Sequence, residues 1–329
     1  MVAPRGHSGL MPDAFGQRIV FSRDLGEHFD TRYVHARAVS SGAEVRVGHG
    51  AYVPGEFWEA SDPLERYLLR IRAVAQTRRV SAVLSHWSAA AVHNLPVVGS
   101  WPTRVHLIVG KTSGGRSRNG VVKHNVRLDD RDVVTIDGMR VTSLARTIVD
   151  ITSLNHPLSA VAMVDRVLHA DPRSHTPALL AREQLLLMWE SMTPFRGYAR
   201  SLDLIEFGET AAETPIESVS RYQMRVIGCP RPVLQTAFFD RQGFIGRPDF
   251  EWPEFGHIGE SDGDRKYLDP AYRGGRTADQ VVRDEKVRED RLRAVSRGFS
   301  RWRWAVALNP GALRQLLADA GLPMGQPWE

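Results

Sequence analysis

Residues 215–307 contain the pattern that most constrains the fold, because helical and strand-like segments alternate there in a fixed order. Thr214 and Pro215 are typical of a helix start, and an apolar stripe continues from there to Ile227. Three short strand-like runs, a long charged helix and a fourth strand-like run follow at 232–240, 244–252, 256–263, 278–297 and 299–307. The order helix, three-strand meander, helix, strand predicts an α/β unit of the α+β type.

Acidic side chains occupy particular places in this pattern. Asp249 lies near the end of the second strand-like run, and Glu260 and Asp262 share one face of the third because side chains repeat every second residue along a strand. Mg²⁺ prefers oxygen ligands and is usually held by one or two carboxylates, waters and a substrate phosphate. The pattern predicts a Mg²⁺ or Mn²⁺ site at these three acids, with Glu217 approaching from the preceding helix. The alternative is structural: "ESDGD" is a polar turn in which Asp262 and Gly263 close a loop, and Asp249 bonds to neighbouring backbone amides.

The block "TPIES … RPDFEW … IGESDGDRKY … EKVREDRLRA … FSRWRW" resembles the very-short-patch-repair-like endonuclease domain of the PD-(D/E)xK superfamily. The resemblance implies a restriction-endonuclease-like core in which Glu217, Asp249, Glu260 and Asp262 take part in phosphodiester hydrolysis. The superfamily pattern places a lysine two residues after the second acid, and this chain has Asp262 there. Lys266 is the candidate to orient water or phosphate instead, and very-short-patch-repair-like members also lack the usual lysine.

A second pattern, at residues 22–54, indicates a winged helix-turn-helix. Two helix-like segments, "RDLGEHF" and "RYVHARAVSS", precede a hairpin signal around the turn at 48–50. In a winged helix the second helix and the wing contact DNA. The residues expected at that surface are Arg32, Tyr33, His35 and Arg37 on the helix and Arg46 and His49 on the wing. A small structural helix pair with solvated arginines is the alternative.

Residues 61–170 mix helical segments such as "LERYLLRIRAVAQT" and "SHWSAAAVHNL" with the strand-like "RVHLIV", "GVVKHN" and "MRVTS". The loop "GKTSGGRSRNG" is not a phosphate-binding P-loop, because Val105 stands where the first glycine is required. Lys111, Arg116 and Arg118 in this loop either meet phosphates or form plain surface.

Together with the winged-helix segment, "SHWSAAAVHNLP … VTSLARTIVD" is similar to the abortive-infection antitoxin (AbiEi) type, a winged helix joined to a mixed domain. This resemblance implies operator binding and a toxin as a possible partner. His86 and His93 lie seven residues apart with no Cys, Asp or Glu at ligand spacing, so we expect core or capping roles for them rather than a metal site.

Two basic segments near the C-terminus have two interpretations each. Arg288 and its neighbours in "EKVREDRLRAVSR" either touch phosphates or form a solvated helix face. In "RWRW", Trp302 and Trp304 are expected on one strand face, as core rather than as base-stacking platforms.

Composition agrees with a nucleic-acid partner without proving one. The net charge is +5, and Cys229 is the only cysteine, so no intrachain disulfide is possible. No apolar signal segment opens the chain, and no run approaches the roughly 18 apolar residues of a membrane span. We expect a cytoplasmic protein that contacts DNA and no membrane.

The sequence therefore predicts a winged helix at 1–60, a mixed domain at 61–170, a helical linker at 171–210 and an endonuclease-like domain at 211–329. Two functions fit this organisation. One is a metal-dependent DNA endonuclease in repair or phage defence, and the other is an antitoxin-like transcriptional regulator with an inactive nuclease-like domain.

Overall fold

The structure, a computed structural model, describes residues 18–24, 31–77, 82–109, 120–171, 174–262 and 277–328, without the side chains of residues 31, 32, 278, 281 and 282. The chain forms two compact units, one of residues 1–160 with 182–205 and one of residues 161–181 with 206–329. Within the segment predicted as a helical linker at 171–210, residues 182–205 belong to the first unit and the remainder to the second. The mixed α/β class expected from the sequence is confirmed.

A three-stranded antiparallel sheet of order β1–β3–β2 begins the first unit. Its elements are β1 (Val20–Phe21), α1 (Thr31–Ser40), β2 (Glu44–Gly48) and β3 (Ala51–Pro54), followed by α2 (Gly55–Ala60) and α3 (Pro63–Thr77). Gly50 closes the β2–β3 hairpin with φ of +61°, a conformation that glycine adopts without strain. The second helix and the hairpin of the sequence pattern are confirmed. The first predicted helix falls mostly at residues 25–30, outside the described part of the chain.

A five-stranded sheet of order β6–β5–β4–β8–β7 forms the rest of the first unit. Its strands are β4 (Val83–Leu84), β5 (Val105–Ile108), β6 (Val121–His124), β7 (Val133–Ile136) and β8 (Met139–Thr142). The sequence pattern indicated β5, β6 and β8. It missed β4, which has only two residues, and β7, whose central side chains are exposed.

The helices that accompany this sheet and lead into the second unit are α4 (His86–Val92), α5 (Leu144–Thr152), α6 (Pro157–Leu168), α7 (Arg182–Met192) and α8 (Tyr198–Phe207). Ser143 caps α5 by accepting a hydrogen bond from the backbone N–H of Arg146. The predicted helix at 177–192 begins only at Arg182.

A four-stranded sheet of order β14–β13–β12–β9 is the centre of the second unit. The elements, in chain order, are α9 (Pro215–Ile227), β9 (Val233–Leu234), the separate hairpin of β10 (Phe238–Asp240) and β11 (Gly243–Gly246), β12 (Phe250–Trp252), β13 (His257–Asp262), α10 (Ala278–Val295), β14 (Gly298–Arg303), α11 (Trp304–Ala307) and α12 (Pro310–Asp319). Strands β13 and β14 are parallel, and the other two pairings are antiparallel.

Helices α9 and α10 cover opposite faces of this sheet. On one face Trp302 donates from Nε1 to Ser220 Oγ of α9 at 2.8 Å. A Cβ on Gly259 would stand 2.8 Å from the Trp302 ring, so the glycine lets that ring lie against β13. On the other face Ile258 packs with Ile245 and with Leu292 of α10. The sheet is therefore buried between helices, as a central layer.

Two strand predictions in this unit need correction. The runs at 232–240 and 244–252 are each interrupted, the first at Gln235, where φ is +55°. The C-terminal half of the first run and the N-terminal half of the second form the separate β10–β11 hairpin. The last strand ends at Arg303, and Trp304 begins α11, so Trp302 and Trp304 do not share a strand face.

Among the helices of the described residues, none is long and apolar enough to cross a membrane.

Candidate active site

The antiparallel register of β12 and β13 sets Asp249 opposite Glu260. Phe250 pairs with Gly259 and Glu251 with Ile258, so the next pair in the same register is Asp249 with Glu260. Asp249 directly precedes β12, Glu260 lies within β13, and the two side chains are 8% and 5% exposed. The two buried acids are close enough for the charge of Asp249 to add to the rise that burial causes in the pKa of Glu260.

Glu260 is held by only one of its two carboxylate oxygens. Its Oε1 accepts a hydrogen bond from Arg288 Nη2 at 2.7 Å, while the buried Oε2 has no hydrogen-bond partner. Arg301 Nη2 lies 3.8 Å from Oε2. Burial raises the pKa of Glu260, and the Arg288 charge opposes this rise while Asp249 adds to it. One oxygen of a desolvated carboxylate is thus available to an additional cation or donor.

Asp249 is bonded to the neighbouring strand rather than to solvent. Its Oδ2 accepts two hydrogen bonds from Ser261, one from the backbone N–H and one from Oγ, both at 2.7 Å. Two donors on one oxygen fix the orientation of the carboxyl group. The side chain is therefore held rigidly at the end of β12.

Glu217 has the bonds of a helix cap. Its Oε1 accepts from Thr214 Oγ1 at 2.6 Å, and its Oε2 accepts from the Glu213 N–H at 2.9 Å. Gln235 Nε2 reaches the same Oε2 at 3.3 Å, and the Gln235 N–H donates to the Asp249 carbonyl. Glu217 is thus linked to the acid pair through Gln235, and its described bonds stabilise the start of α9.

Asp262 follows Glu260 on the same face of β13, as the alternation predicted, but its neighbours are arginines. The parallel register pairs it with Arg303, and Arg301 Nε and Arg303 Nε lie 3.8 and 3.9 Å from its Oδ2. Within the described residues no group of three or more His, Cys, Asp or Glu side chains is arranged to hold a metal ion. The three-acid cluster predicted from the sequence is therefore not assembled there, and Asp249 and Glu260 remain as a pair of buried acids.

Arginines of α10 and β14 surround the acid pair. Arg288 also bonds to Glu285 of its own helix at 2.7 Å, and Arg301 bonds to Glu285 at 2.9 Å and to Glu289 at 2.6 Å. Arg288 was expected either at phosphates or on a solvated face. Its guanidinium instead faces carboxylates, with a quarter of the side chain exposed.

Several predicted residues lie outside the part of the chain that the structure describes. They are Lys266 of the candidate site, Lys111, Arg116 and Arg118 of the basic loop, and the side chain of Arg32.

The helix and wing predicted to meet DNA are only partly at the surface. Tyr33 is 66% exposed, and Arg37 and Arg46 are exposed as well. The expectation for His35 is wrong, because this side chain is 2% exposed. Its Nδ1 lies 2.6 Å from Glu44 Oε2, and its ring stacks on Tyr52 at 3.9 Å. His35 therefore braces α1 against the hairpin.

Arg301 and Ser261 are the parts of this site that sequence reasoning missed. Arg301 reaches Glu260 only because β14 pairs in parallel with β13, a pairing between segments that α10 separates. The alternation of arginines at 301 and 303 was visible in the sequence, but it does not specify the neighbouring strand. Ser261 was visible only as the residue between two acids.

Comparisons with known proteins identify no family for this chain. No family model matches it, and no curated protein matches it. The chain is similar to the crystal structure of the RV2827C protein from Mycobacterium tuberculosis, with 15% sequence identity and a TM-score of 0.37. The alignment covers 69% of this chain and 89% of that protein.

Proposed function

We propose that this chain is a DNA-binding protein whose second unit hydrolyses phosphodiester bonds with a divalent cation. The observation that carries the proposal is the buried Glu260, which faces Asp249 and leaves Oε2 without a hydrogen bond. An unpaired buried carboxylate oxygen destabilises a fold by about 1–3 kcal/mol. A role in function explains why such an oxygen is retained.

The acid pair fits a hard cation of the Mg²⁺ type. Such an ion keeps several waters and needs only one or two protein carboxylates, so the lack of a three-acid group among the described residues does not argue against it. Asp249 and Glu260 are the residues that would hold it. The bound ion would stabilise the negative charge that develops on a phosphodiester during hydrolysis.

Arg301 supports the proposal because it brings a positive charge close to Asp262, which occupies the position of the superfamily's usual lysine. Its guanidinium lies within 4 Å of both Glu260 and Asp262, on the strand next to the acids. A fixed positive charge there favours a phosphate and the charge that builds on it. In this proposal Arg301 supplies the charge that the superfamily takes from lysine.

Surface features of each unit support DNA contact. In the first unit Tyr33, Arg37 and Arg46 are exposed on α1 and the hairpin. In the second unit Phe239 and Phe244 are 62% and 52% exposed and stack edge to face on the β10–β11 hairpin. Aromatic side chains beside arginines are platforms for unstacked bases. The hairpin is fixed to α10 by a two-bond pair between Asp240 and Arg291.

The test is plasmid cleavage by purified full-length protein in Mg²⁺ or Mn²⁺. Asp249→Asn is expected to slow nicking by at least ~100-fold, because it removes one of two cation ligands. Glu254→Gln is the matched control, since Glu254 is an exposed acid of the same unit and its change should leave nicking as in the wild type. Equal nicking by wild type and Asp249→Asn would assign the activity to a contaminant.

A second candidate function is favoured by the arginines themselves. The Arg288 and Arg301 guanidiniums lie next to Glu260 and partly neutralise its charge. In an inactive site, two such arginines would take the place of a metal ion. The chain is then an operator-binding regulator of the antitoxin type, and its second unit carries no activity. In this case neither ion supports nicking, yet duplex binding is retained.

The regulator alternative is tested by duplex binding over a range of salt concentrations. Arg37→Ala with Arg46→Ala should weaken binding and lower the salt slope by roughly 0.9 for each phosphate that the protein no longer neutralises. The control is Arg104→Ala, another exposed arginine of the first unit. Unchanged binding by the double variant contradicts the role assigned to α1 and the wing.

A further inference from the structure

The first unit contains a cavity of about 1030 Å³ that the proposed function does not use. Residues from α4, β6 and α5 form one side, and residues 191–200 form the other. Pockets for small organic ligands measure roughly 300–1,000 Å³, so this cavity has the size of a complete ligand site.

Asp150 is an incompletely bonded carboxylate at the floor of this cavity. It is 4% exposed, and its Oδ1 accepts from Arg146 Nε at 3.1 Å. Its Oδ2 is buried and has no hydrogen-bond partner, and His86 Nδ1 lies 3.9 Å from it. Buried polar atoms are nearly always hydrogen-bonded. The cavity therefore presents an acceptor whose donor the chain does not supply.

Two histidines, His86 and His124, line the cavity beside Asp150, and a third, His106, contacts His124. The rings of His86 and His124 stack at 3.6 Å, and His106 Nδ1 lies 3.0 Å from His124 Nε2. Burial lowers the pKa of His124 to about 4 and of His86 and His106 to about 3, so all three are neutral near pH 7. These imidazoles and Asp150 are not among any metal-holding group in the described residues. The floor therefore suits a neutral planar group better than a cation.

His86 is held in an unusual backbone conformation at this floor. Its φ of +49° lies in the left-handed region, which a residue with a side chain enters at a cost. Its Nδ1 lies 3.0 Å from Ser85 Oγ, which helps to fix the ring. Strained residues of this kind cluster at ligand sites.

The rim of the cavity is positively charged. Arg127, Arg196 and Arg200 line it and are exposed. Arg127 Nε pairs with Asp129 at 3.2 Å, whereas the buried Arg146 bonds to Asp150 and lies 3.4 Å from Asp132. Exposed arginines beside a cavity favour phosphate or carboxylate groups.

The rest of the lining is mixed. Val126, Leu154, Met192 and Phe195 contribute apolar side chains, and Asn155 and Thr193 are among the polar ones. A ligand that fits must therefore have a hydrogen-bond donor at one end, a flat body and an anionic group at the other end.

We propose that this cavity binds a free nucleotide, with an amino group of the base donating to Asp150 Oδ2 and the phosphate held by the arginines at the rim. The base lies against the stacked imidazoles, and the apolar side chains of the lining cover its edges. The site is separate from the acid pair of the second unit and does not depend on cleavage activity.

The experiment is calorimetric titration of the full chain without divalent ions. The probes are AMP and CMP, whose bases carry an exocyclic amine, IMP and UMP, whose bases do not, and inorganic phosphate. AMP and CMP should bind at least about tenfold more tightly than IMP and UMP, the value of one hydrogen bond to a charged acceptor. Inorganic phosphate should bind more weakly than any of the four.

Variants separate the two ends of the ligand. Asp150→Asn should remove the preference for amine-bearing bases. Arg196→Ala with Arg200→Ala should weaken all four nucleotides similarly, and this pair keeps the proposal testable if Asp150→Asn does not fold. Arg23→Ala is the matched control, since Arg23 is exposed in the same unit and does not line the cavity.

Two results would overturn the proposal. One is the absence of nucleotide binding by the wild type up to about 1 mM. The other is equal affinity for AMP, IMP and inorganic phosphate, which would reduce the site to a nonspecific anion surface.

Discussion

Asp150 in the first unit and Glu260 in the second are the same chemical feature in different surroundings. Each is a buried carboxylate that bonds an arginine through one oxygen and leaves the other oxygen without a donor. Around Asp150 the next neighbours are neutral imidazoles, and around Glu260 they are a second carboxylate and a second arginine. This difference is the reason why we propose a neutral donor as the ligand of the first site and a cation as the ligand of the second.

A third carboxylate, Asp165, belongs to a completed pair, by which we mean that both carboxylate oxygens have donors, although Arg221 Nε has no hydrogen-bond partner. Both oxygens of Asp165 accept from Arg221 Nη2 at 3.0 Å, and the Glu209 N–H donates to Oδ1 at 2.7 Å. Arg221 also lies over the Phe207 ring. Asp165 has the partners that a structural role requires, and neither Asp150 nor Glu260 has them.

The largest expected effect comes from breaking this completed pair. Asp165→Ala should lower the free energy of unfolding of the second unit by about 3–5 kcal/mol, because it leaves the Arg221 charge buried without a partner. Urea denaturation followed by tryptophan fluorescence measures the loss. Asp290→Ala, at an exposed acid of the same unit, should change it by less than about 0.5 kcal/mol. A loss below about 1 kcal/mol in Asp165→Ala would remove the contrast between the completed pair and the two open carboxylates.

An intermediate effect on stability is expected when the pH is lowered, and it should appear in the first unit. Its buried His86 and half-buried His106 and His124 have a pKa lowered to about 3 or 4, so they stay neutral in the fold while the unfolded chain binds protons below about pH 6.5. Stability present above that pH should therefore be lost as the pH falls toward 4. Hydrogen exchange of α4 and α5 between about pH 7 and pH 4.5, corrected for intrinsic rates, measures this loss.

His124→Gln sharpens the test, since it removes one of the three titrating groups and should flatten the pH dependence. His169→Gln, at a histidine of the second unit, should leave the slope in the first unit as in the wild type. Equal slopes for His124→Gln and wild type contradict the neutral cluster.

The smallest effect is expected at Glu260 itself. Glu260→Gln should change the free energy of unfolding of the second unit by less than about 1 kcal/mol, because Arg288 and Arg301 keep Glu285 as a partner and the amide removes a charge that burial disfavours. The same urea denaturation measures it. A loss as large as that of Asp165→Ala would make Glu260 a structural residue.

The sequence was informative where a local pattern determines the structure. The cap at Thr214, the alternation along β13 and the β2–β3 hairpin depend on neighbours within a few residues, and each was predicted. The burial of His35 was not predictable, because it depends on Glu44 and Tyr52 across the hairpin. Helical spacing alone placed His35 with the exposed residues of α1.

The candidate sites show the same limit. Asp249 and Glu260 were found because each lies in a strand-like run, but the arginines that surround them come from α10 and β14. The cavity in the first unit was missed entirely, since His86, His106, His124 and Asp150 come from four different elements. A core or capping role was expected for His86, and its burial agrees with that, but no local pattern indicates the cavity beside it.

The most direct test of a cation site at Glu260 is to compare the Mn²⁺ affinity of the wild type with that of Glu260→Gln. Electron paramagnetic resonance measures the concentration of free Mn²⁺ during each titration. We predict that wild-type protein binds Mn²⁺ and that Glu260→Gln weakens binding by at least about tenfold while the protein stays folded. Equal Mn²⁺ affinity in the two proteins would contradict the assignment of the open oxygen of Glu260 as a cation ligand.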